Sequence, residues 1–205
     1  MRLYGSLTSP FVRTVRIAAI ELGLEDQIEF VGTTVRPTEI NREYGDQINP
    51  LRRVPALETP DGDVIIDSRV IVENLNAVAR GRAIPDEPAA RIACFNRHAV
   101  VAGATEALVL AMYESKLRPE ERRWPAWIND QTDKAQVALD WCERRLPEFQ
   151  ASFDLSAMAL VSLVGYAQFR FPAERWIEGR SRLKGYLAET SKRASVAATI
   201  PPATA

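Results

Sequence analysis

Thr8, Ser9 and Pro10 bring two hydroxyls and a proline to the point where a short strand-like run, Arg2-Leu3-Tyr4-Gly5, gives way to a helical pattern. Proline suits a first helical turn because it has no N–H to leave unpaired. The residue before it is pushed out of helical geometry and takes the cap position, where serine is favoured. Ser9 is therefore predicted at the positive end of a helix, beside backbone N–H groups without partners. Such a place attracts anions and lowers the pKa of a thiol. The same residues also make an ordinary serine cap, and both readings stay open on this segment alone.

Two later segments add to it. Arg53-Val54-Pro55-Ala56-Leu57 sets a proline at the entrance to an apolar strand, and Ile65-Ile66-Asp67-Ser68 ends another strand with a carboxylate and a hydroxyl. The order is strand, Ser-Pro helix, strand, helix, Val-Pro strand, hairpin, strand, Asp-Ser helix. With Asn49-Pro50-Leu51-Arg52-Arg53-Val54-Pro55 and an all-helical second half, this resembles the glutathione S-transferases, most closely the bacterial soluble type with an S-P-F-V-R segment (Ser9–Arg13).

The resemblance implies a thioredoxin-like domain over residues 1–80, packed on an all-helical domain over 86–205. It also implies glutathione as co-substrate, a small electrophile as second substrate, and a homodimer with Arg69 and Asn74 near its axis. Ser9 would be the catalytic hydroxyl that stabilises the glutathione thiolate, with Thr8 as its competitor. Val54, before a cis Pro55, would pair with the cysteinyl backbone. Asp67 and Ser68 would hold the γ-glutamyl end, Arg53 the glycyl carboxylate, and Phe11 would border the ligand. A free thiol has a pKa of about 8.5, so a shift of about two units, roughly 2.7 kcal/mol, makes most of it thiolate at pH 7. Serine fits that task because it stabilises the anion, whereas cysteine would favour mixed disulfides. The same thiolate serves peroxidase, isomerase and dehalogenase reactions, and a non-catalytic interaction module is the reading from another class.

Composition narrows the remaining classes. The chain has 205 residues, 46% hydrophobic, with a net charge of −1, which argues against a nucleic-acid partner. No run approaches the roughly 20 apolar residues of a membrane span. Met1 leads straight into a strand with no leader pattern, so a cytoplasmic protein is expected. Cys94 and Cys142 form no C-x-x-C and read as buried thiols, and with His98 as the single histidine no metal site is expected. His98 reads as structural or interfacial.

The elements that must position these groups follow from periodicity. Strands are predicted at 2–5, 28–32, 56–59 and 63–66, and helices at 10–22 and 68–79, with a weakly helical stretch at 38–45. Residues 81–88 form a linker. Helical patterns follow at 88–115 and 125–147, and a helix apolar nearly all round at 155–169 is expected at the centre of the bundle with Asp154 as its cap. Family members have a hydroxyl cap and an Asp three residues on; Asp154 and Ala157 stand there instead, so half of the reciprocal cap is missing, at about 1 kcal/mol. Arg13 and Arg16 read as one polar helix face, and 194–205 as a surface segment. The electrophile pocket is expected between the domains, from Leu7, Phe11, Val101, Leu108 and Met112, with Tyr113 and Trp176 as an aromatic wall.

Overall fold

A computed structural model describes residues 1–202 of the chain. The first strand, β1 (Arg2–Gly5), runs into helix α1 (Pro10–Glu21), which stops at Gly23 with a φ of +68°. That left-handed backbone suits glycine. Strand β2 (Glu29–Gly32), the short helix α2 (Arg42–Gln47), strands β3 (Ala56–Glu58) and β4 (Val64–Ile66) and helix α3 (Ser68–Ala79) complete a four-stranded sheet in the order β2-β1-β3-β4. β1 and β2 are parallel, joined through α1, while β3 is antiparallel to both β1 and β4. This is the thioredoxin-like layer. At its centre Gly5 lies so close to α1 that a Cβ there would meet both γ-carbons of Val12 at 2.8 Å.

The second half is helical. Helix α4 (Pro88–Lys116) is followed by α5 (Pro125–Arg144), α6 (Leu146–Gln150), α7 (Leu155–Arg170), α8 (Ser181–Thr190) and α9 (Ala194–Ala197). The single helix expected over 125–147 breaks at Arg145, because Pro147 lacks the N–H that would continue the ladder. Helix α8 went unread in the sequence, and α2 lies a few residues beyond its expected place. The terminal segment is also corrected. Of the segment 194–205 read as surface, Ser195, Val196 and Thr199 are buried and helix α9 packs on α1, while Ala194, Ala197, Ala198 and Ile200 are exposed and 203–205 lie outside the described residues.

Helix α7 explains its own apolar circumference. Leu160, Leu163, Val164 and Ala167 belong to the core of the helical bundle, whereas Leu155, Met158 and Val161 join Leu3, Ile17, Ala18, Leu57 and Ile71 under the sheet. One helix thus serves two cores, and each fully buried leucine contributes about 1.5–3 kcal/mol. Its start is held by Asp154, which is 1% exposed. That carboxylate accepts from Ser156 N (3.0 Å), Ala157 N (3.2 Å), Ser156 Oγ (2.6 Å), Ser152 Oγ (3.1 Å) and Arg97 NH2 on α4 (2.9 Å). Arg97 donates its Nε to Ser156 Oγ as well (3.1 Å). A side chain from another helix therefore supplies partners that the local sequence lacks.

Asp154→Ala is expected to destabilise the fold by about 3–5 kcal/mol, because it removes the cap and leaves the buried Arg97 charge only its longer 3.9 Å pair with Glu148. Asp154→Asn should cost less, since its amide oxygen still caps. Urea denaturation of the two variants reads the difference; equal losses would assign the whole effect to the ion pair, which both variants lose, and none to the cap.

Candidate active site

Strand register brings the three motifs to one end of the sheet. Tyr4 of β1 lies opposite Ala56 of β3, and Ala56 opposite Ile66 of β4. The loop carrying Ser9 leaves just beyond Tyr4, Val54 and Pro55 arrive just before Ala56, and Asp67 and Ser68 follow Ile66. Residues separated by more than fifty positions thereby share one edge.

Ser9 is the N-cap of α1, with its Oγ accepting from Val12 N at 3.3 Å. A hydroxyl that accepts in this way keeps its proton free to donate. Thr8 is differently placed: its hydroxyl exchanges a hydrogen bond with Ser6 Oγ at 3.0 Å. Phe11 is half-buried beside Ser9.

The Val54–Pro55 peptide bond is cis, as the resemblance implies. Neither the N–H nor the C=O of Val54 has a partner among the described residues. The loop before it is fixed by residues for which the sequence suggested no role. Tyr44 Oη and Asn49 Nδ2 both donate to the Arg53 carbonyl at 2.8 Å, and Asn49 Oδ1 accepts from Leu51 N at 3.0 Å. Burial pushes the Tyr44 hydroxyl up to about 12, so it remains a donor at neutral pH. The N-P-L segment was the available signal for Asn49; nothing local signalled Tyr44.

Asp67 caps α3, accepting from Arg69 N (2.9 Å) and Val70 N (3.4 Å), with a φ of +73°. That conformation is uncommon outside glycine and Asx residues, and such positions gather at functional sites. Ser68 is buried, yet its hydroxyl has no hydrogen-bond partner among the described residues. Arg53 is exposed and pairs with Glu106 of α4 at 3.4 Å, across the cleft between the two halves.

Some expectations need correcting. Val101, Leu108 and Trp176 are at most 1% exposed and belong to the bundle core, so they do not line a cleft. The Trp176 indole donates to the Phe171 carbonyl at 3.0 Å. Leu7 is exposed, and Met112 and Tyr113 are half-buried, which leaves them available. Arg13 is not on a polar surface. It is buried against Gly165 of α7, where an added Cβ would meet its NH1 at 2.1 Å, and it donates to Thr199 Oγ1 (3.5 Å) and the Val196 carbonyl (3.4 Å). Burial lowers its pKa to about 10, with the Arg16 charge adding to the effect.

Cys94 and Cys142 are free and buried, and burial raises both thiols to about 12, which leaves them unreactive. Among the described residues no cluster of three His, Cys, Asp or Glu side chains can hold a metal, and no helix is long and apolar enough to cross a membrane.

His98 is buried on α4, and burial lowers its pKa to about 4 against the opposing pull of Asp67 and Asp154, with Arg69 reinforcing the drop. The unfolded chain, with an imidazole pKa near 6.5, binds the proton first as pH falls. Stability is therefore expected to decline from about pH 6.5 to pH 4, by at most about 3 kcal/mol from this group. His98→Gln should flatten that slope in thermal melts across the interval; an unchanged slope would assign it to other groups.

Comparison with known proteins agrees with this architecture. The family models for the glutathione S-transferase N-terminal and C-terminal domains match residues 8–78 and 125–189. The GST-like protein YibF of Escherichia coli (strain K12) is 30% identical over 207 residues, covering 98% of this chain and 99% of its own. A glutathione transferase family member from Pseudomonas fluorescens Pf-5, crystallised with bound glutathione, superposes with a TM-score of 0.94 at 32% identity, covering 98% of each chain. A second crystal structure from that source contains S-(propanoic acid)-glutathione and has a TM-score of 0.90 at 32% identity, covering 98% of this chain and 100% of that one. A glutathione S-transferase from Methylobacillus flagellatus KT with bound glutathione gives 0.86 at 32%, covering 98% and 99%. With full-length likeness in sequence and fold, this chain belongs to the glutathione S-transferase family.

Proposed function

We propose that the protein is a glutathione transferase in which Ser9 stabilises the glutathione thiolate for attack on a small electrophile. The observation that carries this reading is the convergence, on one sheet edge, of groups left without protein partners: the Val54 N–H and C=O, the Ser68 hydroxyl and the donor proton of Ser9. An extended γ-glutamyl-cysteinyl-glycine backbone fits Val54 as an added strand, with its cysteinyl amide and carbonyl pairing in both directions. The γ-glutamyl carboxylate meets the N-terminus of α3 and Ser68, while Asp67 faces its ammonium. At the other end Arg53 offers a fork of donors to the glycyl carboxylate, and Glu106 keeps that side chain at the cleft. These contacts bring the cysteinyl sulfur toward Ser9 at the positive end of α1. The Ser9 hydroxyl and the helix terminus then favour the anion over the thiol.

The thioether found with the Pseudomonas fluorescens relative, S-(propanoic acid)-glutathione, supports sulfur alkylation over disulfide chemistry as the outcome at this site. Serine in place of cysteine points the same way, and the two unreactive thiols fit a reducing cytoplasm. The protein is further read as a homodimer of two-domain subunits, residues 1–80 and 86–205. Val70 and Val78 on α3 and Ile92 on α4 are exposed apolar side chains on the two helices nearest the expected axis. Arg69, stacked over the Phe95 ring at 5.5 Å, lies among them.

Two measurements test this reading. Calorimetry should find one glutathione site per chain, and Ser9→Ala should raise the pKa of the bound thiol, followed by ultraviolet absorbance. Its rate of conjugation should fall by roughly ten- to a thousandfold, about 1.4–4 kcal/mol. A larger loss in Thr8→Ala would transfer the role to Thr8, and absence of glutathione binding at millimolar concentration would favour a non-catalytic module. Sedimentation equilibrium at micromolar concentration should give about twice 22.9 kDa; a single monomeric species would remove the dimer.

A further inference from the structure

A cation without a carboxylate partner stands at the end of the central helix. Arg170 ends α7, and among the described residues its buried Nε has no hydrogen-bond partner and its guanidinium, which interacts with the buried Tyr166 hydroxyl, has no carboxylate. An arginine in a last helical turn often serves the terminal carbonyls. Arg170 does not, since it donates to none of them and instead lies over the Phe169 ring at 4.4 Å. The nearby cation Arg53 pairs with Glu106 and, in the proposed reading, serves the glycyl carboxylate.

Three packing relations bring Arg170 to the mouth of the glutathione cleft. Arg97, in the third turn of α4, is tied to Asp154 at the start of α7, and the two helices run side by side from that level toward Tyr113 and Arg170. Tyr113 and Arg170 each lie sixteen residues further on, roughly 24 Å along, and so end up at one height. On the same face of α4, Glu106 sits two turns before Tyr113 and meets Arg53 from the thioredoxin-like half. Helix α1 crosses α7 in the opposite sense: Arg13, near the start of α1, meets Gly165 late in α7, whereas Ile17 and Ala18 further along α1 share a core with Val161 and Met158 earlier in α7. The Ser9 end of α1 therefore points toward the Arg170 end of α7. Burial raises the Tyr113 hydroxyl, with Arg53 and Arg170 both pulling the other way, which agrees with a protonated phenol between two cations.

We propose that Arg170, with the Tyr113 hydroxyl, is a specificity site for an electrophile that carries a carboxylate. This rests on the reading of the cleft as a glutathione site. A planar guanidinium held at a cleft mouth without a counter-ion is suited to a carboxylate, and charge-assisted bonds there favour an anionic substrate over its neutral counterpart.

The test uses two thioethers that differ by one group, S-benzylglutathione and S-(4-carboxybenzyl)glutathione, titrated calorimetrically into the full-length protein at fixed salt. The carboxylate should tighten binding by about tenfold. Arg170→Gln should bring the two ligands to parity while leaving S-benzylglutathione within about twofold of its original affinity. Arg170→Lys should keep part of the preference, and Tyr113→Phe should lose part of it. Parity in the unaltered protein overturns the proposal, even if the Arg170 variants fail to fold, and so does a preference that survives Arg170→Gln. If S-benzylglutathione itself does not bind, the glutathione site falls and takes this inference with it; binding of both thioethers with equal affinity removes the carboxylate site alone.

Discussion

The burial of Asp154 is the constraint on which the remaining geometry depends. A carboxylate removed from water loses several kcal/mol of hydration, and only dense compensation makes that tolerable. Here the compensation comes from two cap amides, two hydroxyls and one guanidinium, so the site is fully occupied. The geometric consequence outweighs the energetic one. Because Arg97 must reach this carboxylate, the third turn of α4 is held level with the start of α7, and the two helices run side by side. The position of Tyr113 relative to Arg170 follows.

Helix α7 passes this constraint to the other half of the molecule. It belongs to both cores, and α1 rests on it through Arg13 at Gly165, where any side chain would collide with the guanidinium. Arg13 in turn reaches the terminal segment at Val196 and Thr199, and Glu21 at the far end of α1 pairs with Arg193 and Ser195. The helix that carries Ser9 is thus clamped at both ends by residues from the opposite end of the chain. A hydroxyl proposed to meet a sulfur atom benefits from such anchoring, since small displacements weaken a hydrogen bond to a developing anion.

The sheet edge and the bundle contribute differently to the cleft. Backbone geometry dominates the glutathione side: an unpaired peptide at Val54, two helix termini and the Asp67 turn. Those features depend on strand register and on the Asn49–Tyr44 brace behind Arg53, and they suit the peptide of fixed composition proposed to bind there. The opposite side is built from side chains of α4 and α7, where substitution changes chemistry without moving the backbone. A common thiol site and a variable partner site follow from that division.

What the sequence determined by itself was local. Ser9 before Pro10, Asp67 before an amphipathic run, and the Val54-Pro55 pair have conformational preferences set within a few residues, and α1, α3 and α7 begin where caps and periodicity put them. Tertiary structure decided the rest. Arg13 and Arg16 look equivalent in a helical projection, yet one is buried, because only packing against Gly165 and the terminal helix distinguishes the two faces. Val101 and Trp176 share the composition of pocket residues, but which apolar side chains face a cleft depends on how helices cross. Within the segment 194–205, Ser195, Val196 and Thr199 depart from the surface reading for the same reason: small residues become core when a neighbouring helix supplies the enclosing surface. Arg97 and Arg170 had no local signal, since a charge acquires its meaning from the partner it meets, or lacks, across the fold.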